Sequence, residues 1–212
     1  FNEEPCFPGY IDDYALLGSV LIDYLSIEWN QNYYDTCMRV CDDLMNNFED
    51  KEKGGFFFTS DQHEQLFYRP KSISDDSVPS GLVYATDILL YMGFISGNQK
   101  YIEAAYGALD FIYKSIDDNL TSSVSAINLL REDNLEKEII IVRTNKKTWE
   151  KITDSEEYYG RCIIFIENEL QNLPDYIAYK ESKGEFTSYH CKGMTCQTPK
   201  LSFEDFIDSL KT

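Results

Sequence analysis

Apolar residues recur at helical intervals through the first half of the chain. Ile11, Tyr14, Leu17, Leu21, Tyr24 and Leu25 predict a helix over residues 10–26, and Tyr34, Cys37, Met38, Cys41, Leu44, Met45 and Phe48 predict another over 33–48. The short segment from Glu28 to Asn32 turns the chain between them. A second pair of helices follows over 81–93, carried by Leu82, Ala85, Ile88, Leu89 and Met92, and over 99–116, carried by Ile102, Ala105, Ala108, Leu109, Ile112 and Ile116. Its turn, Ser96-Gly97-Asn98-Gln99, supplies the Gly and Asn expected where one helix stops and the next is capped. The two pairs repeat one another: Tyr24-Leu25 leads through Asn30-Gln31-Asn32-Tyr33, and Tyr91-Met92 leads through Asn98-Gln99-Lys100-Tyr101. An array of helical hairpins is the economical reading. A further helix is expected from Ser122 or Ser123, with Val124, Ile127 and Leu130 facing inward.

Beyond Glu136 the period changes. Ile139-Ile140-Ile141-Val142 and Cys162-Ile163-Ile164-Phe165-Ile166 are continuous β-rich apolar runs, separated by a helix-compatible stretch with Trp149 and Ile152. That order predicts strand, helix, parallel strand. Phe186 to His190 adds a strand, and Phe203 to Leu210 a closing helix capped by Ser202. The expected fold class is therefore mainly α, with helical hairpins over residues 1–135 and a small α/β lobe over 136–212. No Gly-rich phosphate loop follows either strand, so nucleotide binding has no support.

Charge narrows the partners. The formal net charge of -18 argues against nucleic acid and against anionic membranes, because both are bound through clustered Lys and Arg. No apolar run approaches the roughly 18 residues of a membrane span, and Phe1-Asn2-Glu3-Glu4 does not open a signal peptide, so a soluble, cytoplasmic protein is expected. Residue 1 is not Met, which reads as a segment of something longer. The six cysteines match no zinc ribbon and include no Cys-x-x-Cys pair. Cys37 and Cys41 read as buried thiols on a helical stripe. Cys191 and Cys196 bracket a tight loop beside His190, where structural thiols weigh more than a disulfide or a metal site. No metal or cofactor is expected.

The connection between the two hairpins carries the candidate chemistry. It contains Gly54-Gly55-Phe56-Phe57-Phe58, His63-Glu64, Arg69-Pro70-Lys71, Asp75-Asp76 and Pro79-Ser80-Gly81, and connections of that length tend to be functional. Asp12 and Asp13 at the start of the first helix, and Asp75 and Asp76 before the third, read either as caps or as carboxylates at a cavity rim. One from each pair converging on a pocket would supply acid and base, provided their environments separate the two pKa values. His63 is a candidate proton carrier, against the blander state of a hydrogen-bonded loop histidine. Arg69 and Lys71, held apart by Pro70, suit an anion clamp or internal salt bridges. The aromatics Phe56, Phe57, Phe58, Phe67 and Tyr68 suit a sugar platform or, more simply, alternating burial in a short β-hairpin.

The strings Tyr10-Ile11-Asp12-Asp13-Tyr14-Ala15, Gly54 to Thr59, His63-Glu64, Arg69-Pro70-Lys71, Pro79-Ser80-Gly81 and Cys191 to Gln197 with Pro199 come in an order that resembles the C-terminal part of the YyaL-type thioredoxin domain-containing proteins, which include the spermatogenesis-associated members of animals. The resemblance implies an upstream thioredoxin-like domain and a six-hairpin (α/α) toroid similar to those of N-acylglucosamine 2-epimerases and six-hairpin glycosidases. This chain would then hold the last hairpins of an incomplete toroid and the terminal lobe. By the same resemblance Asp13, His63, Arg69, Lys71 and Ser80 fall on motif positions near the toroid's mouth. The chain departs from the family at Asp75-Asp76, where Asp-Gly is usual, and at Leu82-Val83, where Asn-Ser is usual; the missing Asn removes a polar cavity group. Two functions follow as expectations. One is a carbohydrate cavity of epimerase or glycosidase type, with Asp13 and Asp76 as carboxylates, His63 as proton carrier, and Arg69, Lys71 and Ser80 as ligand-binding groups. The other is a non-catalytic helical scaffold that presents clients or ligands to the upstream domain.

Overall fold

Two helical hairpins open the fold, α1 (Ile11–Ile27) with α2 (Gln31–Asn47) and α3 (Gly81–Ser96) with α4 (Gln99–Ser115). The computed structural model describes residues 8–64, 67–116, 120–134, 138–158 and 161–211. Helix α3 is apolar almost all round and is buried on nearly every side, which makes it the central rod. It packs against α1, α2, α4 and the shorter α5 (Val124–Asn134).

The helix boundaries follow from capping. Asn30 Oδ1 accepts the N–H groups of Asn32 and Tyr33 at the start of α2, Asn98 does the same for Lys100 in α4, and Ser80 Oγ accepts from Val83 in α3. Asn30→Ala is expected to cost about 1 kcal/mol in urea unfolding, because two helix N–H groups lose their acceptor. Helix α5 keeps part of the inward face its sequence suggests, since Leu130 packs against the core, but is rotated from it at its start. Ala126 and Leu129 are buried while Val124 is exposed, because the Asp75 carboxylate caps the first turn and sets the rotation of the helix.

The remaining chain forms the α/β lobe. Strands β1 (Glu138–Thr144) and β2 (Cys162–Glu167) pair in parallel, with α6 (Lys146–Thr153) in the crossover. After the single-turn α7 (Asp175–Ala178), β3 (Phe186–Lys192) pairs antiparallel with β1, the two-residue β4 (Thr195–Cys196) pairs with β3, and α8 (Phe203–Leu210) closes the lobe. The sheet order is β2-β1-β3-β4.

Strand alternation explains why β1 and β2 are continuously apolar: both faces are covered. Ile139, Ile141, Ile164, Ile166 and Tyr189 face the helical hairpins and join their core. Ile140, Val142, Ile163 and Phe165 face α6 and α8, where they meet Trp149, Ile152, Phe206 and Leu210. The residues before and after 136 thus differ in secondary structure but share one core. Trp149 adds a polar tie, its indole N–H donating to the Ile27 carbonyl at 3.1 Å. The same alternation sends His190 to the α8 face and Cys191 to the helical face, so they cannot converge on one ion. Cys191 and Cys196 are joined by a disulfide across β3 and β4, a correction to the reading of two structural thiols.

One helix face is left apolar and uncovered by the described residues. Leu17, Val20, Tyr24 and Ile27 recur along the outer side of α1, each between 48% and 58% exposed. A helix that is apolar on two sides normally has neighbours on both. No helix among the described residues is long and apolar enough to cross a membrane.

Candidate functional site

The connection between α2 and α3 is held by many bonds to its own backbone and to the ends of the helices. Phe57 N–H donates to the Phe48 carbonyl, Phe58 N–H to Pro70, and Ile11 N–H to Phe58. In place of the expected β-hairpin there is a single bridge between Glu49 and Phe56, because Asp50 turns the chain tightly. Its Oδ1 accepts from the N–H groups of Glu52 and Lys53, and its own N–H donates to Gly55. Phe56 is buried, Phe57 lies beneath the Arg69 guanidinium at 4.2 Å, and Phe67 and Tyr68 are exposed.

The candidate residues gather around this connection and the adjoining helix ends, but most are committed to holding it. Asp13 is exposed and its Oδ2 accepts the Tyr10 N–H at 2.8 Å, so it caps α1. Its position was readable: it stands four and seven residues before Leu17 and Val20, on the outward side of the helix. His63 Nδ1 accepts from the Ser60 N–H at 3.1 Å and contacts Ser60 Oγ at 2.8 Å. The proton therefore sits on Nε2, which is buried and has no hydrogen-bond partner among the described residues. Arg69 donates to the carbonyls of Asn47 and Thr59, closing the end of α2. Lys71 lies 2.7 Å from Asp50 and 2.8 Å from the Gly54 carbonyl, and both members of the ion pair are nearly enclosed. Ser80 is the buried N-cap of α3 and donates to the Ser72 carbonyl. The two cations thus have internal partners, with Asp50 in place of the Asp75, Asp76 or Glu64 that proximity in sequence suggests.

Asp75 is likewise structural. Its carboxylate accepts from Ser80 N–H, Ser125 N–H and Ser125 Oγ, joining the starts of α3 and α5. Burial works against the charge, but these hydrogen bonds outweigh it and hold the pKa below the usual carboxylate value.

Two acidic residues are placed differently. Asp12 and Asp76 both line a cavity of about 320 Å³ between the start of α1, the connection and the start of α3. Phe56 and Phe58 form its apolar side, and Ser72, Ser74 and Ser77 add hydroxyls. Asp12 approaches this closely because residue 81 is glycine: a Cβ there would stand 2.1 Å from Asp12 Oδ1 and 2.9 Å from its backbone nitrogen. Burial raises the Asp12 pKa, a hydrogen bond from the Gly81 backbone pulls against that, and the neighbouring Asp13 charge adds to the rise. Asp76 is exposed at the mouth. Ser80 shares the cavity lining, whereas Asp13, His63, Arg69 and Lys71 do not. A second cavity of about 450 Å³ adjoins across Asp76, Ser77, Val78 and Pro79.

The arrangement offers a half-buried carboxyl whose pKa burial raises and an exposed carboxyl, with an aromatic side and no Lys or Arg among the described lining residues. Comparison with the models of known protein families gives no match, and comparison with curated proteins gives none either.

Proposed function

We propose that this chain is the closing part of an (α/α) toroid of the YyaL type, and that the cavity between Asp12 and Asp76 binds a neutral, hydroxyl-rich ligand such as a sugar. The observation that carries the reading is the convergence of Asp12 and Asp76 on one cavity from segments more than sixty residues apart. Carboxyls and hydroxyls match the hydroxyls of a sugar, and Phe58 offers a face for its C–H groups. With Arg69 and Lys71 turned inward, no Lys or Arg among the described residues lines the cavity. The toroid is supported by the two side-by-side hairpins and by the uncovered apolar stripe on α1, which suits a preceding hairpin.

Within this reading Asp12 is the acid and Asp76 the base. Asp12 replaces Asp13 because Asp13 is a cap on the outer side of α1. The competing reading is a non-catalytic scaffold serving an upstream thioredoxin-like domain. It is favoured by the structural commitment of Asp13, His63, Arg69, Lys71 and Ser80. The Cys191–Cys196 disulfide weighs against the expected cytoplasmic residence, since such bonds persist mainly in oxidising compartments.

Turnover and binding on a panel of neutral mono- and disaccharides and their aryl glycosides separate the two. The enzyme reading expects one sugar class to turn over, with Asp12→Asn and Asp76→Asn each slowing it by about 100-fold. Saturable sugar binding without turnover leaves the scaffold, and no binding at all removes the sugar cavity.

A further inference from the structure

A larger cavity lies elsewhere, between the central helices and the disulfide-closed turn of β3 and β4. It has a volume of about 510 Å³, within the range of small-molecule sites. Leu90, Phe94 and Leu129 make an apolar floor, and the Tyr106 ring stands on one side. Gly193, Thr195 and Cys196 form the opposite wall, and the Cys191–Cys196 bond ties that wall to β3.

The lining is also charged. Glu132, Asp133 and Lys192 all line the cavity over the apolar floor. Asp133 is half-buried, and no hydrogen bond or ion pair joins its carboxylate to another of the described residues. Burial raises its pKa, and the Tyr106 hydroxyl is raised by burial and then by the Asp133 charge. A carboxylate drawn out of water without a partner is costly, and a cation placed beside it recovers that cost. The Tyr106 ring would add a cation–π contact at the same place.

We propose that this cavity binds an amphipathic amine: a hydrocarbon or aryl body on Leu90, Phe94 and Leu129, and one positive charge on Asp133. The site shares no lining residue with the Asp12–Asp76 cavity, so it stands or falls independently of the sugar reading.

Three probes of one shape test it in calorimetry and in NMR of the Tyr106 ring at physiological salt: 4-phenylbutylamine, 4-phenylbutanol and 4-phenylbutyrate. The amine is expected to bind about tenfold or more tightly than the alcohol, since a charge-assisted hydrogen bond replaces a neutral one. The acid is expected to bind more weakly than either. Asp133→Asn should bring the amine to the level of the alcohol and leave the alcohol unchanged, while Asp208→Asn, on the exposed side of α8, should preserve the preference. Equal affinity of amine and alcohol for the wild-type protein, binding of neither, or a preference that survives in Asp133→Asn would overturn the proposal. The wild-type comparison stands even if Asp133→Asn fails to fold.

Discussion

Lys71→Met is expected to lower the unfolding free energy by about 3 kcal/mol at neutral pH, measured by urea denaturation. The ammonium group sits 2.7 Å from Asp50 with both side chains only 11% exposed, so removing it leaves a carboxylate enclosed and uncompensated. Methionine keeps the stem against Phe111, whose ring centroid lies 4.1 Å from the lost nitrogen, so most of the loss is electrostatic. Asp50→Asn combined with Lys71→Met should recover part of the stability, because the orphaned charge is gone. The pair also predicts a pH dependence. Burial opposes the Asp50 charge, but the Lys71 bond and the N–H groups of Lys53 and Glu52 outweigh it and depress the folded pKa. A depressed carboxylate stabilises the fold above its unfolded value of 3.8 and loses that contribution as pH falls through the lower folded value. Acid titration of stability below about pH 4 should therefore be shallower in Lys71→Met than in the wild type.

Gly54→Ala is expected to cost about as much, roughly 3 kcal/mol or more, through backbone geometry alone. Gly54 has φ +72, which an L side chain adopts with strain. A Cβ at this position would lie 2.3 Å from the Gly107 carbonyl oxygen, so the connection would have to lift off α4. That displacement would also move the Gly54 carbonyl away from Lys71. Thermal unfolding of Gly54→Ala beside Lys53→Ala, its exposed neighbour, isolates the effect. A Tm within a degree or two of wild type would show that the connection rests on α4 more loosely than its geometry implies.

The helices were largely legible because their information is local. Asn30, Asn98 and Ser202 cap where capping chemistry places them, and the 3.6-residue period located α1 to α4. The parallel pairing of β1 with β2 was legible as well, since apolar runs on either side of a helix have few other solutions. Side-chain roles in the connection were less so. Lys71 meets Asp50 rather than a nearer acidic residue because the Asp50 turn brings the chain back on itself, a contact that spacing does not encode. The approach of Asp12 rather than Asp13 to the cavity depends on the missing Cβ of Gly81, 69 residues along the chain. The inward face of α5 is set by Asp75 from another segment, which periodicity within α5 cannot report.

The proposed function has Asp12 and Asp76 act on one ligand in one cavity. Carboxyl-carbon NMR of both side chains during titration with the neutral sugar panel tests it most directly. A single sugar is expected to shift both resonances with the same apparent Kd, while the carboxyl of Asp13 stays still. Shifts of only one of the two, or of neither across the panel, would contradict it.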